Sequence, residues 1–186
     1  RQEVTQCANP GPDGTCTTTP TTNVTTSNPQ MDVLEKTELK KEIVQSAEYL
    51  AKAKKYKRFV EIENPSGFIN TGGVPINIGE LIGKEIILVD FWTYSCINCQ
   101  RTLPYLTNWY SKYHDAGLEI VSIHTPEIEF EKKKKNVMRA AEQAGVKYPI
   151  VKDNDYVSWR AYNNFCWPRK YIIAIDGFLV YDHIVQ

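Results

Sequence analysis

The chain lacks net charge: 22 Lys and Arg stand against 22 Asp and Glu over its 186 residues. No overall field exists to hold nucleic acid or an anionic membrane surface, so partners are selected by local chemistry. No uncharged apolar run approaches the roughly 20 residues that cross a bilayer, and the chain as given is expected to be soluble. Histidine is scarce, at 3 residues, and Met scarcer, at 2. His114 and His124 fall on separate segments, where each reads as a surface or packing residue. With no second Cys or His pair at finger or ribbon spacing, neither a zinc site nor any other metal or cofactor is expected. A starting Met is also missing. Arg1 opens the chain with neither a charged n-region nor an apolar h-region behind it, consistent with a removed leader or anchor or with trimming. Val4-Thr5-Gln6 lacks the small residue that precedes Cys7 in a lipoprotein-type cleavage site.

What is present suffices for a core of ordinary size, since 42% of residues are hydrophobic and 11% aromatic. The length fits one domain with an appendage. Residues 1–30 hold most of the Thr, four prolines and no aromatic residue, so they read as a flexible tail. Within it, Cys7 and Cys16 bracket the turn-forming run from Ala8 to Thr15, which lets the thiols meet. A local structural disulfide leads two other readings, a pair of idle thiols and half of a metal site. Asn23-Val24-Thr25 matches a glycosylation acceptor in three letters only. Residues 31–58 read as an N-terminal helix, with Leu39, Ile43, Ala47 and Leu50 forming an apolar stripe and Lys52 to Arg58 a solvated end.

Residues 59–186 read as the compact domain. Ile86-Ile87-Leu88-Val89 suits a strand buried on both faces, and a helix is expected from about Ile97 to His114. Leu118 to His124 reads as a second strand, Phe130 to Ala144 as a helix stopped by Gly145, and Tyr148 to Val151 as a short extended piece. Tyr156 to Tyr162 suits a helical turn. Tyr171 to Ile175 and Phe178 to His183 read as strands joined at Asp176-Gly177. Such an order predicts an α/β domain with a mixed sheet.

Cys96-Ile97-Asn98-Cys99 lies where the first strand gives way to the first long helix. A helix N-terminus stabilises a thiolate, so Cys96 is expected to be the exposed, more acidic thiol, with Cys99 one turn in. One thiol can then attack a partner's disulfide and the other resolve the mixed disulfide. Asp90 ends the apolar strand six residues earlier. It reads equally as a buried carboxyl that exchanges a proton with Cys99 and as a turn cap, and Asp90→Asn is expected to keep the fold. Pro168, before an apolar run, marks a strand entry or tight turn, where a cis bond is allowed. Cys166 is left over and reads as a small buried thiol, with proximity to the dithiol as the rival reading.

Val89-Asp90-Phe91-Trp92, three residues and then Cys96-x-x-Cys99 resembles the thioredoxin active-site segment. The wider string from Phe91 to Pro104 resembles the extracytoplasmic bacterial redoxins, in particular the TlpA group and the thioredoxin-like domain attached to the membrane electron carrier DipZ. His124-Thr125-Pro126-Glu127 and Asn164 to Tyr171 are similar to later segments of that family, and the likeness runs from Phe68 to Ile184. The resemblance implies a thioredoxin-like fold, a mixed central sheet flanked by helices, and a protein-disulfide oxidoreductase. In it Cys96 is the nucleophile, Cys99 resolves, Asp90 assists proton transfer and Pro168 is a cis-Pro facing the dithiol. Trp92, Trp167 and Pro168 would shape the surface where protein thiol or disulfide substrates dock. Two features depart from plain thioredoxin. The stretch between Cys99 and Pro168 is longer, and no final helix follows the last strand, so residues 31–58 are expected to cover that face or the chain is cut. Uncharged Ile97 and Asn98 between the cysteines point to a reductant, supplied with electrons by a DipZ- or DsbD-type carrier outside the cytoplasm. The alternatives are a peroxiredoxin-type thiol peroxidase, for which Thr93 is correctly spaced but Val89 replaces the Pro of that motif, and a copper or zinc chaperone using the two cysteines.

Overall fold

The computed structural model describes residues 47–184. Cys7, Cys16, Asn23 and most of the expected N-terminal helix lie outside that range. Seven strands form one mixed sheet. They are β1 (Lys57–Arg58), β2 (Gly67–Ile69), β3 (Ile86–Trp92), β4 (Leu118–His124), β5 (Ile150–Lys152), β6 (Arg169–Ile173) and β7 (Phe178–Ile184), in the spatial order β1-β7-β6-β3-β4-β5-β2. Strands β3, β4 and β5 run parallel and the remaining pairings are antiparallel. Parallel neighbours need a crossover. Helix α3 (Ile97–Tyr113) supplies the first and α4 (Lys134–Gln143) the second, while α1 (Ala47–Lys55), α2 (Ile78–Leu81) and α5 (Val157–Ala161) are shorter.

Because a strand alternates its faces, β3 feeds two cores at once. Leu88 and Trp92 join Leu103 and Leu106 of α3 and Val137 and Ala141 of α4 on one face. Ile87, Val89 and Phe91 join Ile78, Tyr162 and Tyr171 on the other. Asp90, between Leu88 and Trp92 in β3, therefore faces the α3 side of the sheet. The β6–β7 hairpin turns through Ile175 and Asp176, with the Gly177 N–H bonded to Ala174 O and Gly177 at φ 83°, a conformation that Gly adopts without strain.

Three expectations are revised. Leu50 is 56% exposed, and α1 is held instead by the Tyr49 ring on Phe178 at 4.9 Å and by Lys52 Nζ on Asp176 at 2.6 Å. The helix expected from Phe130 is broken: Glu129–Lys132 form a 3₁₀ turn, Lys133 is extended, and α4 starts at Lys134. Glu131 turns inward from this stretch to Ser95, which its Oε1 holds at 2.5 Å, and the helix starts only after that residue. The sheet also begins at Lys57, two residues before Phe59, because β1 pairs with β7 at Leu179 and Phe178. No helix among the described residues is long and apolar enough to cross a membrane.

Candidate redox site

The β3 run ends at Trp92 and the chain turns through Thr93, Tyr94 and Ser95, closed by the Cys96 N–H on Thr93 O at 3.3 Å. Cys96 is the N-cap of α3, with φ −70° and ψ 113°, and its Sγ accepts the Cys99 N–H at 3.2 Å. The side chain of the first cysteine thus takes the place of a capping oxygen. Cys96 is half-buried, Cys99 is fully buried, and both are free thiols. Burial pushes the Cys99 thiol far up, and the hydrogen bond with Cys96 and the negative charge of Asp90 push it the same way.

Asp90 is wholly buried, but it is not alone. Its Oδ1 accepts Lys170 Nζ at 2.6 Å, and Lys170 is itself only 8% exposed. Lys170 stands directly across the antiparallel β3–β6 ladder from Asp90 and also reaches Thr102 Oγ1 of α3 at 3.3 Å. Asp90 Oδ2 has no hydrogen-bond partner among the described residues. The turn-cap reading of Asp90 finds no support in these bonds. Lys170 is the residue that sequence reasoning missed. It lies just before the apolar run that starts at Tyr171, beside Arg169, and its partner depends on strand register.

Trp167–Pro168 is cis. Cys96 and Trp167, both half-buried, pack against the same core cluster, the one that contains Cys99 and Trp92. Pro168 is buried, and Trp167 leans on Trp159 with ring centroids 4.3 Å apart. Trp92 departs from expectation. It is 1% exposed, edge-on to His124 at 5.3 Å, and belongs to the same core cluster as Cys99. Exposed Ile97 beside Cys96 presents apolar surface instead. Cys166 is half-buried rather than buried, with burial pushing its thiol up against a smaller opposing effect of Arg169.

Thr93, the residue that suggested a peroxidase, is fully buried, with Oγ1 3.3 Å from His124 Nε2. His124 is a core residue, stacked on Tyr94 at 5.7 Å, and burial pushes its pKa down to about 4. His114 is a surface residue near Glu119, as expected.

Since Cys96 combines greater exposure with the helix-capping position, iodoacetamide at mildly acidic pH is expected to label it before Cys99. Peptide mapping by mass spectrometry reads the order, and faster labelling of Cys99 would reverse the two roles.

A mixed sheet whose central parallel strand delivers a capped dithiol to the head of a crossover helix defines a class, the thioredoxin-fold dithiol domains. The chain belongs to the thioredoxin-like family, whose model matches residues 83–179. It is 45% identical over 118 residues to protein DipZ of Mycobacterium tuberculosis, covering 63% of this chain and 17% of DipZ. It is 31% identical over 111 residues to the thiol-disulfide oxidoreductase ResA of Bacillus subtilis, covering 60% of this chain and 59% of ResA. Among solved structures it is similar to a thioredoxin-like protein in its oxidised form, with a TM-score of 0.63 and 24% identity over 69% of this chain and 84% of that one. The matched region thus spans about a sixth of DipZ and under two thirds of ResA.

Proposed function

We propose that this domain is a thiol-disulfide oxidoreductase that reduces protein disulfides outside the cytoplasm. The asymmetry of the cysteine pair carries the reading: a half-exposed sulfur at a helix cap and a buried one behind it, near a carboxylate. The Cys96 thiolate attacks one sulfur of a partner disulfide, forming a Cys96–partner bond while the other partner sulfur leaves as a thiolate and takes up a proton. Cys99 then gives its proton to Asp90 and attacks Cys96 Sγ. The Cys96–Cys99 disulfide forms, the second partner thiolate departs, and the two electrons of the dithiol end on the partner. Asp90 Oδ2 is the acceptor this step needs, and Lys170 balances the charge on the other oxygen.

The partner surface combines Trp167 and the cis-Pro loop with exposed Ile97. Uncharged Ile97 and Asn98 add no stabilisation to a thiolate beyond the helix terminus, which supports a reducing poise. The 45% identity to DipZ supports an extracytoplasmic or membrane-tethered setting and an electron donor of the DipZ or DsbD type. Equilibration with glutathione is expected to give a potential nearer to the thioredoxin value of about −270 mV than to the DsbA value of about −120 mV. A potential near the latter would overturn the reductant and leave the class standing, whereas failure of the wild-type protein to reduce insulin disulfides would overturn the class. Mixed disulfides trapped by Cys99→Ser in the native cell would name the substrate.

A further inference from the structure

Glu131 takes no part in the steps above, and it sits in a 3₁₀ turn whose neighbours Ile128 and Phe130 are 42% and 49% exposed, yet it is itself fully buried. Its Oε1 accepts Ser95 Oγ at 2.5 Å and the Ser95 N–H at 3.3 Å, while Oε2 accepts the N–H groups of Glu127 at 2.6 Å and Ile128 at 3.1 Å. Burial alone would push this carboxyl up, but hydrogen bonds from Ser95, Thr93 and the two backbone N–H groups outweigh it and hold it below the usual range. The contact to Ile128 is an N3 glutamate reaching back to its N-cap, which explains one side of the carboxylate. The other side leaves the turn and grips Ser95, the residue immediately before Cys96.

We infer that Glu131 is a positioning residue for Cys96, acting through Ser95: its buried carboxylate ties the segment after β4 to the residue that precedes the helix-capping cysteine. This rests on the exchange reading given above. Cys96 caps α3 through a 3.2 Å contact between its sulfur and the Cys99 N–H, so the sulfur's place depends on the backbone entering the cap. That backbone is gripped from several sides. Tyr94 O accepts Gln100 Nε2 at 2.7 Å, the Tyr94 ring stacks on His124, and Ser95 gives both of its donors to Glu131. A buried carboxylate makes a stiff tether, because motion of Ser95 strips it of two donors. Ser95 is exposed, so packing does not hold it in place.

The test is a double-mutant cycle in the full chain with Ser95→Ala, Glu131→Ala and both together, alongside Glu131→Gln. Readouts are kcat and KM for reduction of insulin disulfides, the rate of Cys96 alkylation by iodoacetamide, and the melting temperature. Each single alanine variant is expected to lower kcat about tenfold with KM changed less than about twofold, and the double variant to lose no more than the worse single, as residues acting as one unit do. Glu131→Gln is expected to recover part of kcat, because its oxygen can accept from the two loop N–H groups and its amide NH2 can donate to the Ser95 hydroxyl oxygen, while the Ser95 N–H loses its acceptor. Losses that multiply in the double variant, a kcat unchanged by Ser95→Ala, or a melting temperature that falls with kcat intact would each overturn the positioning role. A Glu131→Gln loss equal to that of Glu131→Ala would overturn it in favour of charge. If Glu131→Ala fails to fold, Ser95→Ala, a surface substitution, decides. If the wild-type protein reduces no disulfide, the exchange reading falls, and the alkylation rates still decide whether Glu131 and Ser95 place Cys96.

Discussion

Asp90→Asn is expected to destabilise the domain by about 3 kcal/mol and to slow disulfide exchange near neutral pH by about a hundredfold. Volume barely changes in this swap, and from sequence alone it looks harmless to the fold. The structure alters that expectation through Lys170, whose ammonium sits 2.6 Å from Asp90 in a place where water does not reach the carboxylate. Removing the anion leaves a buried cation without its counter-charge, which costs far more than the lost hydrogen bond. The second effect is separate, since Asn cannot take the Cys99 proton. Adding Lys170→Met to Asp90→Asn separates the two. Removing the buried cation is expected to recover a large part of the lost urea stability, short of wild type by the cost of the unpaired Asn amide, about 1 to 3 kcal/mol, while exchange stays slow. Exchange that returned with stability in the double variant would reduce Asp90 to a structural partner of Lys170. An Asp90→Asn midpoint equal to wild type would deny the ion pair its importance.

Acid is expected to remove about 3 kcal/mol of stability between pH 7 and pH 4 through His124. Burial is the main cause of its depressed pKa, with the nearby Glu131 carboxylate opposing, and the folded value is about 4 against an ordinary 6.5. Above the ordinary value both folded and unfolded chains carry a neutral imidazole. Between the two values only the unfolded chain binds the proton, so stability falls as pH drops through that window and the loss is complete near the folded value. The gap of about two and a half units, at roughly 1.4 kcal/mol each, sets the magnitude. Glu131 acts in the same direction further down, because a carboxyl held below its usual range stabilises the fold above that range and loses the contribution as pH falls. His124→Gln keeps a polar group beside Thr93 and cannot titrate. Urea midpoints from pH 7 to pH 4.5 are expected to be much flatter in that variant. Equal slopes in the two proteins would show that His124 is not the acid-sensitive group.

The dithiol was legible in the sequence because its signals are local. A continuous apolar run ending in Asp90, followed by Cys-x-x-Cys and then helix formers, states strand, turn and helix within about 30 residues. The β6–β7 hairpin was legible for the same reason, with turn chemistry at Asp176-Gly177 between two apolar runs. Strands β1 and β2 were not, being two and three residues long and too short to show a period. The break before α4 was also hidden. The periodicity runs through Phe130 to Ala144, and what interrupts it is Glu131 turning inward to Ser95, 36 positions earlier in the chain.

By itself the sequence determined the fold class and the placing of Cys96 at the head of a helix with Cys99 one turn in, because strand burial and helix capping are decided by near neighbours. Tertiary structure alone decided the partners. The register of β6 against β3 placed Lys170 on Asp90, the depth of the sheet took Trp92 away from the surface, and the end of β4 and the connection after it brought His124 to Thr93 and Glu131 to Ser95. Buried charge and buried imidazole answer to whatever lies across the fold, and the pairing of residues 80 positions apart is set by strand register and packing rather than by any pattern in the chain.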